Sequence, residues 1–236
     1  IGLTTLAGIA APAMAQNVLA NPSFEDGGFN GWIPFGNAFI EPLAPRTGAV
    51  SAKFFGNFTG GDNASGCFQE FDTAPGESWR ASAWYYNLAA DAMQDPNFAA
   101  LNIEWRDAFG DLLSFETVTA LTAASPLDTY LQSELCATAP ADAARVRFVI
   151  LFIQPELFNG GAAFVDDASF ERASCSTCPV CAADYDQSGG VDGDDITAFF
   201  NDWQAGAACG DVDGSGGIDG DDIPFFFDRW QAGGCN

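Results

Sequence analysis

The 236-residue chain has no histidine, only two methionines, and eight lysine or arginine residues against 32 acidic ones. Each shortage removes a class of function. Without histidine no Ser-His-Asp triad, Cys-His pair or His-ligated zinc can be built. A formal charge of −24 at pH 7 repels nucleic acid, anionic membranes and acidic polysaccharides, so none of these is an expected partner. After residue 15 no stretch is apolar over the length needed to cross a bilayer. A glycosidase needs two carboxylates at a set separation. Glu104, Glu116 and Glu134 fall in strand-like segments, yet no motif marks a pair, and there is no room for a separate catalytic barrel. The expectation is a protein without catalytic activity.

Residues 1–15 are small and apolar and end in Ala13-Met14-Ala15, an A-x-A site. They read as the tail of a secretory signal peptide, with the mature chain starting at Gln16 and an extracellular destination. Seven cysteines in an exported chain point to disulfides. Cys67 and Cys136 stand alone in the larger part and are candidates to staple two strands. Cys181 and Cys235 bracket the last segment and make a candidate clasp. The run Cys175-x-x-Cys178-x-x-Cys181 reads either as disulfide partners or as thiolate zinc ligands. An odd count leaves at least one thiol over, and connectivity stays open.

What the chain has in excess is acid, and near its end the acid is written twice. DYDQSGGVDGDDITAFFNDWQAG begins at Asp184, and DVDGSGGIDGDDIPFFFDRWQAG begins 27 residues later at Asp211, an internal repeat. Each copy opens on a twelve-residue loop. Asp184, Asp186, Ser188, Asp192 and Asp195 fall at positions 1, 3, 5, 9 and 12, with Gly189 at the turn and the Gly190 carbonyl at position 7. Asp211, Asp213, Ser215, Asp219, Asp222, Gly216 and Gly217 repeat the pattern. That oxygen-only spacing suits Ca²⁺, which takes six to eight oxygens in flexible geometry. With no cation, the five carboxylates of each loop repel one another. The pattern matches an EF-hand loop except for Asp at position 12 and Ser at position 5. After each loop, Ile196, Phe199, Phe200 and Trp203, and likewise Ile223, Phe226, Phe227 and Trp230, mark the apolar stripe of a short helix. Neither helix can bury its stripe alone, so the two are expected to pack on each other.

A calcium loop and one helix, twice over Asp184 to Gly233, resembles the type I dockerin module, whose paired segments dock onto cohesin domains; Asp at position 12 is also a dockerin trait. The resemblance implies a cohesin-like partner read at loop positions 10 and 11 and on the following helix. Those positions hold Gly193-Asp194 and Gly220-Asp221 rather than the common hydroxyl pairs. Asp194, Asp221 and Phe225, the last off the apolar stripe and expected to be exposed, are the candidate partner-binding residues.

Residues 16–173 read as strands: Ala49–Phe55, Gly66–Asp72, Ser78–Asn87, Ala99–Arg106, Leu112–Thr117, Thr129–Cys136, Ala144–Ile153 and Ala162–Glu171, separated by Gly, Pro, Asn and Asp turns. Hardly any helical period intervenes, which predicts an antiparallel sandwich. The expected layout is a signal-peptide remnant (1–15), the sandwich (16–173), a Cys-rich hinge (174–181) and the α-helical repeat domain (182–236). The opening NVLANPSFEDGGFNGW, the closing AFVDDASFE and FQEFDTAPGESWRASAW between them are similar to segments of family 4, 9 and 22 type carbohydrate-binding modules, the first and last to their terminal strands. The resemblance implies a galactose-binding-like jelly roll, a neutral polysaccharide or glycan as ligand, and a structural Ca²⁺ joining Glu25 to Asp166/Asp167. Glu25 as a plain turn cap is the alternative. Strand alternation puts Trp84 and Tyr86 on one face and Asn102, Glu104 and Arg106 outward on another strand. If the two sets share a sheet, the aromatics would stack on a sugar ring and the polar groups would bond its hydroxyls. Otherwise Trp84 packs in the core and Arg106 pairs with Glu104. Two functions are therefore carried forward, a calcium-dependent docking protein that binds glycan and a calcium-braced structural or adhesive surface protein.

Overall fold

A computed structural model describes residues 16–155, 158–173, 175, 178–179, 181–215 and 217–234. Residues 1–15, Gly216, Cys235 and part of the 174–181 hinge lie outside them. The chain divides into two compact units, Ile1–Cys175 and Ser176–Asn236.

The first unit is a sandwich of two antiparallel five-stranded sheets. Its strands are β1 (Ile33–Phe35), β2 (Asn37–Glu41), β3 (Ser51–Phe55), β4 (Asn63–Asp72), β5 (Ser78–Tyr86), β6 (Phe98–Arg106), β7 (Leu112–Thr122), β8 (Tyr130–Thr138), β9 (Arg145–Gln154) and β10 (Ala162–Arg172). One sheet runs β1-β4-β9-β6-β7 and the other β2-β3-β10-β5-β8, the jelly-roll arrangement expected. Alternation builds it: Trp79, Ala81, Ala83 and Tyr85 of β5 are buried while Arg80, Ser82, Trp84 and Tyr86 are half-exposed. In the core, Trp79 stacks on Phe170 at 4.6 Å and Phe148 of the opposite sheet meets Phe170 at 5.5 Å. The Tyr85 hydroxyl donates across the sandwich to the Ala100 carbonyl.

Two expectations change here. The Asn17–Trp32 segment, similar to a first strand, is a series of turns. It is tied down by Val18 N–H to Phe170 O and by Asn17, whose amide donates to Ala168 O while its oxygen accepts from Phe170 N–H. Strand pairing starts only at Ile33, because Gly27, Gly28 and Gly31 take positive φ and break any extended run. The Cys67–Cys136 staple does not form either. Cys67 points into the core from β4 and is a buried free thiol, whereas Cys136, on β8 of the other sheet, is bonded to Cys175.

The second unit holds two helices, α1 (Gly193–Ala205) and α2 (Asp222–Ala232). Both end on the glycine of the repeated QAG, Gly206 and Gly233, in the left-handed conformation that glycine adopts without a Cβ penalty. The stripes meet: Phe199 stacks on Phe226 at 4.3 Å and 7°, with Ile196, Phe200, Trp203, Ile223, Phe227 and Trp230 around them. Cys178 is bonded to Cys209, and Cys181 is also in a disulfide. All three cysteines of the C-x-x-C-x-x-C run are thus oxidised, which removes the thiolate zinc reading. Cys235, the expected partner of Cys181, lies outside the described residues. No helix is long and apolar enough to cross a membrane among the described residues.

Candidate functional site

In the first repeat the carboxylates of Asp184, Asp186 and Asp195 come within 4.8 Å of one another, and in the second those of Asp211, Asp213 and Asp222 do the same. Two features of the fold place them. The position-12 residue is the first buried polar side chain of its helix: Asp195 and Asp222 are both 0% exposed. Each is braced by two backbone amides. Asp195 accepts from Asp186 N–H (3.1 Å) and Asp192 N–H (2.8 Å), and Asp222 from Asp213 N–H (3.4 Å) and Asp219 N–H (2.8 Å). The Ser188 backbone amide, and then its hydroxyl, hold the Asp186 carboxyl below its ordinary value, and Ser215 does the same for Asp213. Asp186 and Asp213 are therefore ionised at neutral pH. Three carboxylates converge on one point, with further oxygen donors along the loop, which is the donor chemistry of a hard divalent cation. The cluster therefore fits Ca²⁺.

Positions 9 and 5 behave differently from positions 1, 3 and 12. Asp192 accepts from the Asp194 amide and caps the start of α1, whereas Asp219 accepts from the Asp221 amide just before α2, whose own N-cap, Asp221, makes no side-chain cap bond. Ser188 and Ser215 donate their amides to Asp186 and Asp213, and the Ser215 hydroxyl donates to the Gly217 carbonyl. Gly190 and Gly217 are exposed.

The loops are also locked to each other. Trp203 Nε1–H, at the end of the first stripe, donates to the Asp219 carbonyl of the second loop at 2.8 Å, and Trp230 Nε1–H donates to the Asp192 carbonyl of the first at 2.8 Å. Each helix thus clamps the other copy's loop. The signal was legible as tryptophan in the same place of both copies, but its partner was not. Of the partner-binding candidates, Asp194 and Asp221 are exposed. Phe225 corrects its expectation of exposure: it is half-buried, with the Arg229 guanidinium over its ring at 5.0 Å, one helical turn away.

In the sandwich the five expected glycan residues do not form one site. β5 and β6 belong to different sheets, so Trp84 and Tyr86 lie on the outer face of one and Asn102, Glu104 and Arg106 on the outer face of the other. The alternation within each strand held, but strand order is decided by pairing. Trp84 is moreover covered, with the Arg46 guanidinium 3.8 Å from its ring centre. Tyr86 packs on Tyr130 at 4.8 Å.

Glu25 and Asp167, the residues expected to share a calcium ion, each have protein partners. A bulge between Asp166 and Ser169 turns Asp167 toward Ser23, Thr47 and Arg46, all of which donate to its carboxylate. Burial raises this carboxyl, but those three partners outweigh it and leave it below its ordinary value. Buried Asp166 goes the other way, raised by desolvation against the amides of Thr47 and Arg46. Glu25 caps the loop by accepting from the Ala49 and Val50 amides, the turn-cap alternative.

The β6 set has a context that was not legible in the sequence. Arg106 donates to Glu104 and to the Gly110 carbonyl, while across the sheet Arg147 donates to Glu70 at 2.6 Å and lies over Phe68 at 4.3 Å. Phe115, paired with Glu104 on β7, is 53% exposed. Two buried polar atoms on this face, Asn102 Oδ1 and Arg106 Nε, have no hydrogen-bond partner in the protein. Arg147, Glu70 and Phe115 could have been found only from the register.

No protein-family model and no curated protein matches this chain. Similar solved structures include TmCBM61 in complex with β-1,4-galactotriose, at 18% identity and a TM-score of 0.45 over 67% of this chain and 99% of that one. The CBM22-1 xylan-binding domain of Paenibacillus barcinonensis Xyn10C is similar at 15% identity and a TM-score of 0.43, over 64% of this chain and 93% of that one. The enzymatically active domain of bacteriophage CBA120 tailspike protein 4 is similar at 14% identity and a TM-score of 0.48, over 66% of this chain but only 21% of that one. At such identities and scores these likenesses carry no argument about what this chain binds.

Proposed function

We propose that this is a secreted, non-catalytic protein in which a Ca²⁺-loaded, dockerin-like tail docks onto a cohesin-like partner while the sandwich binds a neutral polysaccharide or glycan. The observation that carries it is the pair of three-carboxylate clusters, each built on a buried position-12 aspartate and each clamped by the other repeat's tryptophan. Asp184, Asp186, Asp195, Asp211, Asp213 and Asp222 would hold the ions, which would neutralise the clusters and complete the helix starts. Asp194, Asp221 and the Phe225–Arg229 pair are the side chains offered to the partner. The glycan reading is supported by Asn102 Oδ1 and Arg106 Nε, unpartnered beside exposed Phe115 on an otherwise ion-paired face. Hydroxyls of a neutral sugar supply the missing donors and acceptors without adding charge. Glu104 belongs to the same face, and Trp84 and Tyr86 are not part of it.

Titrating Ca²⁺ into the metal-stripped full chain by calorimetry should show two sites; no uptake overturns the docking half. A glycan array should give hits that Asn102→Ala abolishes or weakens, and hits unchanged in that variant would move the site elsewhere. The second reading, a calcium-braced adhesive protein without glycan binding, rests on the exposed apolar Phe109 (92%), Leu112 and Leu113 of the β6–β7 hairpin. An empty array together with self-association in Ca²⁺ would favour it.

A further inference from the structure

A pocket of about 230 Å³ opens at Lys53, Phe55, Phe58, Asp91 and Gly161. It lies against the sheet that carries β3, away from Asn102 and Arg106, whose strand belongs to the other sheet. Its apolar wall is continuous with a ring platform. Phe55 meets Phe58 at 6.5 Å and stacks nearly parallel on Phe39 at 5.5 Å and 9°, and Phe39 and Phe58 are 47% and 41% exposed. The polar side is an ion pair, Lys53 Nζ to Asp91 Oδ2 at 2.7 Å, whose side chains are 19% and 36% exposed. The Lys53 ammonium is held near the Phe55 and Phe164 rings, at 5.6 and 5.4 Å, which fixes its position beside the cavity. Gly161 lines the pocket and admits no side chain: its φ is +90°, and a Cβ there would fall 2.2 Å from the Ala92 carbonyl oxygen.

The chemistry of the walls narrows the occupant. An anion meets Asp91 and a chain of charge −24, and a cation meets Lys53. A wholly apolar molecule would strip water from the ion pair and give nothing back. What remains is a neutral ring with an apolar face for the phenylalanines and adjacent hydroxyls, accepting from the ammonium and donating to the carboxylate. The volume lies below the ~300–1,000 Å³ of clefts for drug-sized ligands, so it suits one ring and not a length of polymer. We infer that this pocket is a second glycan site, specific for a single terminal or branch sugar residue. It shares its ligand class with the reading above but stands on other residues, so either can fail alone.

The test is an amide NMR titration of the full chain with methyl glycosides of glucose, galactose, mannose, xylose and N-acetylglucosamine. At least one sugar should give saturable shifts at Lys53, Phe58 and Gly161, with a Kd on the order of 1 mM. Phe58→Ala should weaken it about threefold to tenfold. Lys53→Met, which keeps an unbranched apolar stem near Phe164, should weaken it about tenfold. Asn102→Ala should leave these shifts unchanged, whatever it does on the other sheet. No saturable shift with any sugar, or equal affinity in the Phe58 and Lys53 variants, overturns the site. Saturation by benzyl alcohol but by no sugar overturns it as well.

Discussion

The sandwich buries Trp79, Trp105, Tyr85 and a set of phenylalanines completely, whereas among the described residues of the repeat unit the large side chains fully or nearly buried are Tyr185, Phe199 and Phe226. Their means of support differ to match. In the first unit one disulfide, Cys136–Cys175, is added to a core spanning ten strands. The second unit is of a size at which a hydrophobic core alone is marginal. It compensates with Cys178–Cys209, which closes a 31-residue separation and by chain entropy contributes about 3–4 kcal/mol, and with the cross-clamped loops. Its acidic clusters are a cost until neutralised, since like charges about 4 Å apart repel by roughly 1 kcal/mol in water and more where solvent is excluded. A fold held by burial tolerates changes of medium. A small unit that carries clustered carboxylates is instead sensitive to whatever screens or neutralises them.

Breaking the small core should have the largest effect. Phe226→Ala removes one of the two stacked rings and is expected to cost about 3–5 kcal/mol, enough to melt the repeat unit while the sandwich keeps its transition. Separate melting of the two units, followed by residue-resolved NMR, checks this, and a common loss would show that the units are not independent. Next comes the clamp. Trp203→Phe deletes the Nε1–H bond to the Asp219 carbonyl, at about 0.5–1.5 kcal/mol, together with the part of the indole packing that a phenyl ring does not replace. It should loosen the second acidic loop more than the first, seen as faster amide exchange there. Equal effects on both loops would mean that the bond is not the coupling.

The smallest effect concerns acid. Asp186 and Asp213 sit below their ordinary carboxylate values in the folded chain, mainly through the Ser188 and Ser215 amides. Their contribution is present above the unfolded aspartate pKa of about 3.9 and is lost as pH falls through the lower folded values. Helix signal from the repeat unit, followed without calcium, should therefore hold at pH 5 and decline only below about pH 4. A decline beginning near pH 6 would contradict this.

Much of the molecule is legible from residue order alone because the signals are local. The repeat, its loop positions and the helix stripes are short-range patterns, and eight strands announced themselves by alternation and turn residues. The half-buried outward face of β5, and Glu104 and Arg106 of β6, followed from period two, while Asn102 beside them is buried. What local patterns do not carry is which strand lies beside which. That choice separates Trp84 from Asn102 by putting them on different sheets, joins Cys136 to Cys175 instead of Cys67, and brings Arg147 and Glu70 beside Glu104. It also gives Asp167 to Arg46 and sends each tryptophan to the opposite repeat. These are contacts between residues far apart along the chain, selected by backbone pairing and close packing summed over the whole domain, and no single segment encodes them.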